Sequence, residues 1–227
     1  MAASYCDRLS LEAGGKFVHI SEGWDLLEEA SRSGKGGIIL TSHIGNWEIG
    51  ARLFKRDGLR MLLLMGERSP KEVARFQRED LKAEGLDVSV SPAGKDPSFA
   101  GLEAMEFLGK GGFVAVAGDM AWANQRRRAK VSLFGHEALL PAGPHLLALL
   151  SGAPLFTLFS FRTGRARHRF VMSGPRWVKV ASLEDRNRAV QRSAQEYAED
   201  LERAVRSYPW QWHIFEPVLG PLIGQND

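Results

Sequence analysis

Eight consecutive residues of this chain hold a base, a carboxylate and a helix cap: Thr41-Ser42-His43-Ile44-Gly45-Asn46-Trp47-Glu48. An imidazole steadied by a carboxylate is a general base: the carboxylate selects the ring tautomer and stabilises the imidazolium that forms. His43 and Glu48 are five residues apart. In one continuous helix they point about 140° apart, since each residue turns about 100°. They meet only if the chain turns sharply between them, and Gly45 permits such a turn. Asn46 is a suitable N-cap, which places Glu48 in the first helical turn. The helix N-terminus beside His43 opposes its premature protonation.

The elements around this stretch alternate in type. Apolar runs at Ile38–Leu40, Leu59–Leu64, Val88–Val90, Phe113–Ala117 and from Leu155 predict buried strands. Between them lie predicted helices from Asn46 to Arg56, from Pro70 to Glu84, from Asp96-Pro97 through Leu108, and from Pro144 to Ser151. Ser21 is expected to cap a helix through Ser31, and Arg169–Met172 to form a further strand. A last helix over Ser182–Ser207 keeps Val190, Ala194, Tyr197, Ala198, Leu201 and Val205 at helical spacing. Strands separated by amphipathic helices predict an α/β fold, a single-domain layered αβα arrangement on a largely parallel mixed sheet. Sites in such sheets gather at the C-terminal strand ends. Two polar residues end buried strands there, His43 and Asp119.

Composition narrows the chemistry. The 227 residues suit one domain, expected over 1–227. Cys6 is the only cysteine, so an intramolecular disulfide and a Cys-rich zinc site are excluded. No Gly-x-Ser-x-Gly elbow and no His-Glu-x-x-His run occurs, and neither Lys35 nor Lys110 is followed by the Ser or Thr of a phosphate-binding loop. No metal and no cofactor is expected. The N-terminus lacks the apolar core of a secretory signal, which predicts a reducing, cytosolic setting. Leu139–Phe161 carries no formal charge and is long enough for a bilayer, but Pro141, Pro144, Gly152 and Pro154 break it into helix, turn and strand.

Charge is concentrated in one segment. Residues 120–180 hold ten basic residues and one acid, Glu137, whereas the segments before and after are each net −3. Arg126, Arg127, Arg128 and Lys130 form one basic cluster, and Arg162, Arg165, Arg167 and Arg169 another. Such a surface attracts an anionic membrane, an acidic carrier protein or a nucleic acid. No nucleic-acid-binding motif accompanies it, so nucleic acid is not expected. Trp122, Trp177, Trp210 and Trp212 suit either a lipid interface or a partly buried core.

His-x4-Glu within Ser42–Glu48 resembles the signature of the bacterial late lipid A (lauroyl/myristoyl) acyltransferases, members of the lysophospholipid acyltransferase superfamily. Further blocks follow in order: Gly66-Glu67-Arg68-Ser69-Pro70, Gly112–Asp119, Leu133-Phe134-Gly135 with Pro141-Ala142-Gly143-Pro144 and Gly152-Ala153-Pro154, then Tyr208-Pro209-Trp210-Gln211-Trp212. The likeness covers about residues 3–217. Met120 stands where the family usually has Gln, and the chain starts close to the Asp7-Arg8 element that usually follows an N-terminal membrane anchor. An anchor absent or removed is the corresponding expectation.

The resemblance implies a lysophospholipid acyltransferase-like fold and an O-acyltransferase of lipid A and lipopolysaccharide biosynthesis. The acyl chain would move from acyl carrier protein or acyl-coenzyme A to a hydroxyl of a glycolipid such as a lipid A precursor, with no covalent acyl-enzyme. It makes His43 the base and Glu48 its orienter. Arg68 would hold phosphate or an anionic intermediate, Asp119 would position the acceptor or Arg68, and Asn46 would lie at the substrate or oxyanion. Arg126, Arg127, Arg128 and Lys130 would dock anionic lipid or the carrier protein at the cytoplasmic face of the inner membrane. Two alternatives stay open: an acyl-thioester hydrolase of the same fold, and a non-catalytic domain that binds anionic lipid.

Overall fold

A computed structural model describes residues 6–7, 16–66, 79, 81–82, 86–91, 98–121 and 127–223. A seven-stranded sheet forms the centre, in the order β1-β9-β8-β2-β5-β3-β4. Its strands are β1 (Val18–Glu22), β2 (Gly37–Thr41), β3 (Met61–Gly66), β4 (Asp87–Ser91), β5 (Phe113–Ala117), β8 (Leu155–Gly164) and β9 (Arg167–Arg176). Every pairing is parallel except the β8–β9 hairpin. A second sheet, in the order β10-β7-β6, is antiparallel and consists of β6 (Arg128–Leu133), β7 (His136–Pro141) and β10 (Leu219–Leu222).

Side-chain alternation along the central strands builds two cores. Ile38, Leu40, Val114 and Val116 face one side, where Ala104 and Leu108 of α3 (Ser98–Gly109), Ala148 of α4 (Gly143–Ser151) and Tyr197 and Leu201 of α5 (Arg186–Ser207) cover them. Ile39, Phe113 and Ala115 face the other side, against Leu27 of α1 (Asp25–Arg32) and Ile49 and Phe54 of α2 (Trp47–Arg56). Ile38, Ile39 and Leu40 are fully or almost fully buried. Each contributes about 1.5–3 kcal/mol of hydrophobic burial, which anchors the strand that delivers His43. The expected layered α/β fold with a largely parallel mixed sheet is what forms.

Two local expectations are corrected and one is extended. Ser21 lies in edge strand β1, pairing with Phe170, and the helix starts later, at Asp25. The basic cluster is not a loop throughout: Arg128 and Lys130 lie in β6, which pairs with β7. Arg169–Met172 is the middle of a longer strand. The uncharged stretch 139–161 divides into the end of β7, α4 and most of β8. No helix among the described residues is long and apolar enough to cross a membrane. The helix predicted from Pro70 falls almost wholly outside the described residues, as do Asp96-Pro97, Arg68, Trp122 and Arg126.

Candidate active site

The register of two neighbouring strands sets the site. Thr41 pairs with Ala117 at the C-terminal ends of β2 and β5. His43 and Asp119 each lie two residues past that pair, so they leave the sheet side by side. The His43 Nδ1 is 2.8 Å from Asp119 Oδ1, and the His43 backbone N–H donates to Oδ2 at 2.7 Å. The Trp212 indole N–H donates to the same Oδ2 at 3.0 Å. Asp119 is buried, while the His43 side chain keeps 26% of its surface exposed. A buried carboxylate on Nδ1 leaves Nε2 as the reactive nitrogen of the ring.

Two close approaches hold this geometry. Gly45 has φ +62°, and a Cβ there would lie 2.1 Å from the Ser160 carbonyl oxygen. Any other residue would push the His43 loop off β8. Gly118 packs under the Tyr197 ring, where a Cβ would meet ring carbon at 2.7 Å. The Tyr197 hydroxyl donates to the Thr41 carbonyl at 2.8 Å. Burial, with the charges of Asp119 and Asp200 after it, raises the Tyr197 phenol well above its ordinary range, so it stays a neutral donor.

The carboxylate on His43 is therefore Asp119, where the sequence pointed to Glu48. Asn46 caps α2 by accepting from the Glu48 N–H at 3.1 Å. That cap fixes Glu48 in the first turn, and its carboxylate reaches Arg52 one turn on, at 3.7 Å. Glu48 and His43 still share a cleft of about 260 Å³, together with Asn46, Met120, His213 and Phe215. Asn46 is buried, and its own carbonyl accepts from the Ser160 hydroxyl at 2.8 Å.

His213 is a site residue that the sequence did not single out. It lines the same cleft, and its backbone N–H donates to the His43 carbonyl at 2.8 Å. Burial, followed by positive charge that includes His43, lowers its imidazole below the ordinary value, which favours a neutral ring. Trp212, one of four tryptophans that suit either a lipid interface or a partly buried core, donates to Asp119 across 93 positions. No local spacing signals a contact of that range. Of the basic cluster, Arg127, Arg128 and Lys130 are exposed, and Lys130 pairs with Glu137 across β6–β7.

Residues 10–219 match the family described as bacterial lipid A biosynthesis acyltransferase. Among curated proteins, a phosphatidylinositol mannoside acyltransferase of Mycobacterium tuberculosis is 27% identical over 198 residues, covering 86% of this chain and 58% of that protein. One from Mycolicibacterium smegmatis is 25% identical over 197 residues, covering 85% of this chain and 60% of that protein. The chain thus spans about three fifths of the length of these relatives.

Proposed function

The chain belongs to the bacterial lipid A biosynthesis acyltransferase family, and from that premise we propose that it is an O-acyltransferase that moves a fatty acyl chain from a thioester to a glycolipid hydroxyl. The observation that carries this reading is the 2.8 Å contact between His43 Nδ1 and Asp119 at the mouth of the parallel sheet.

His43 Nε2 takes the proton of the acceptor hydroxyl as its oxygen attacks the thioester carbonyl. The new C–O bond forms, the C–S bond breaks, and the imidazolium returns the proton to the departing sulfur. Asp119 holds the ring tautomer and stabilises the imidazolium. Arg68, beyond β3, supplies a cation for the developing oxyanion or a phosphate of the substrate. Asn46 builds the helix end beside the reacting atoms, and Glu48 lines the acceptor side of the cleft. No nucleophilic Ser or Cys takes part, because the acceptor attacks the acyl carbon directly.

The donor is acyl carrier protein or acyl-coenzyme A, and the acceptor is a glycolipid of the lipid A or mannosylated phosphoinositide kind. Phe215, which lines the cleft and is 76% exposed, supports a lipid acceptor. Trp210, Leu219, Leu222 and Ile223 in the same closing stretch are exposed apolar side chains as well. With Arg127, Arg128 and Lys130 they suit the surface of an anionic inner membrane at its cytoplasmic face.

The test is incubation of the protein with acyl-coenzyme A or acyl carrier protein and purified glycolipids, read by mass spectrometry. A glycolipid heavier by one acyl chain supports the proposal. Free fatty acid alone would make the protein a hydrolase instead. For the membrane face, reversal of charge at Arg127, Arg128 and Lys130 is expected to weaken co-sedimentation with anionic phosphatidylglycerol vesicles at low salt. Undiminished binding would contradict that part.

A further inference from the structure

Asp119 has two carboxylate oxygens and, among the described residues, three donors. Oδ1 serves the His43 ring, and Oδ2 receives the His43 main chain and the Trp212 indole. The carboxylate plane must be fixed for Oδ1 to meet Nδ1 in line. The His43 N–H belongs to the loop being positioned, so it cannot hold that loop from outside. The indole N–H comes from the far end of the chain and is the independent restraint among the described residues.

The segment bearing Trp212 is itself clamped. The Gln211 side chain accepts from the Arg162 N–H at 2.8 Å and donates to the Arg162 carbonyl at 2.8 Å. The Gly45 N–H donates to the Gln211 carbonyl at 2.9 Å, and the His213 N–H donates to the His43 carbonyl at 2.8 Å. Ile44 and Trp212 thus face each other in an antiparallel bridge. The Trp212 ring rests against Phe134, with centroids 6.2 Å apart. Residues 211–213 form a short strap along residues 43–45, tied at one side to β8 and at the other to Asp119.

We propose that Trp212 is a positioning residue of the acyl-transfer site, its indole N–H fixing the Asp119 carboxylate against the His43 ring. This rests on the reading of His43 and Asp119 as the acid–base unit. A tryptophan kept only for packing would lose little when its nitrogen is removed and its shape retained. A positioning tryptophan loses rate and leaves substrate binding intact.

The test compares Trp212→Phe, and an isosteric replacement of the Trp212 indole by benzothiophene, with Asp119→Asn and with the double variants. The readouts are thiol release from palmitoyl-coenzyme A with octyl mannoside as acceptor, and the downfield proton resonance of the His43 Nδ1–H bond. The benzothiophene variant preserves shape, so it decides the matter if Trp212→Phe does not fold. Expected are a roughly tenfold fall in kcat, KM within about twofold, and a weakened or exchange-broadened resonance. On the Asp119→Asn background the same replacements add less than about twofold, because both act through one carboxylate.

Wild-type kcat with an unchanged resonance in the benzothiophene variant overturns the inference, as do fully multiplicative losses. Loss in Asp119→Asn with none in either Trp212 variant rejects the inference and leaves the acid–base reading standing. Undiminished activity in Asp119→Asn rejects that reading itself. If this substrate pair does not turn over, the resonance decides alone.

Discussion

His43 and His145 both come shortly after a strand, His43 ahead of α2 and His145 in the first turn of α4, yet their contacts differ. His43 has a carboxylate on Nδ1 and keeps part of its ring at the cleft. His145 is fully buried in the first turn of α4. Its Nδ1 meets the Ser193 hydroxyl at 2.8 Å, and its Nε2 has no hydrogen-bond partner among the described residues. Burial, with the charge of Arg176 added, lowers the His145 imidazole to about 4. A neutral partner and no access make it a structural ring. A charged partner and a ring that reaches the cleft are what support the proposed role of the other as a base. Residue type and local context are shared, and the partner supplied by a distant strand separates the two.

Removing each ring is the strongest way to break this contrast. His43→Ala is expected to cost about 10³-fold or more in acyl transfer with the melting temperature nearly unchanged. Retained turnover in a folded His43→Ala protein would erase the distinction.

His145→Asn is expected to keep turnover per folded molecule and to change the pH dependence of stability. The His145 ring binds a proton less readily in the folded chain than in the unfolded one. Its contribution is therefore complete above about pH 6.5 and lost as pH falls toward about 4. That loss is on the order of 3 kcal/mol. Urea unfolding at several pH values should give a shallower slope in this window for His145→Asn. Identical slopes in the two proteins would contradict the assignment.

Glu48→Gln sharpens the comparison from the cleft side. Glu48 lines the cleft and Asp119 is the carboxylate on His43 Nδ1, so loss of Glu48 is expected to raise the acceptor KM by roughly tenfold and to leave kcat within a few-fold. A fall in kcat as large as that of Asp119→Asn would return the orienting role to Glu48.

Much of this arrangement was readable in the residues. His43 and Asp119 stand out in the sequence because each is a polar ending to an apolar strand, and each does lie just past the C-terminal end of its strand. Their partnership was not readable, since it follows from β2 and β5 being neighbours in register across 76 positions. Glu48 attracted the pairing through proximity in sequence. The β6 strand had a local signal, Arg128-Ala129-Lys130-Val131-Ser132-Leu133 alternating polar and apolar, which its charge obscured. Edge strand β1 had little, because Val18 and Ile20 lie exposed on its outer face. The strap at Gln211–His213 carries no periodic pattern and works through hydrogen bonds to distant loops.

The most direct measurement is steady-state acyl transfer by Asp119→Asn, with circular dichroism and thermal unfolding as a check on the fold. The substituted amide keeps the shape and loses the charge that stabilises the imidazolium. The expected result is a fall in kcat on the order of 10²-fold or more with little change in KM. A folded Asp119→Asn protein that turns over at the wild-type rate would contradict the assignment of His43 and Asp119 as the working pair.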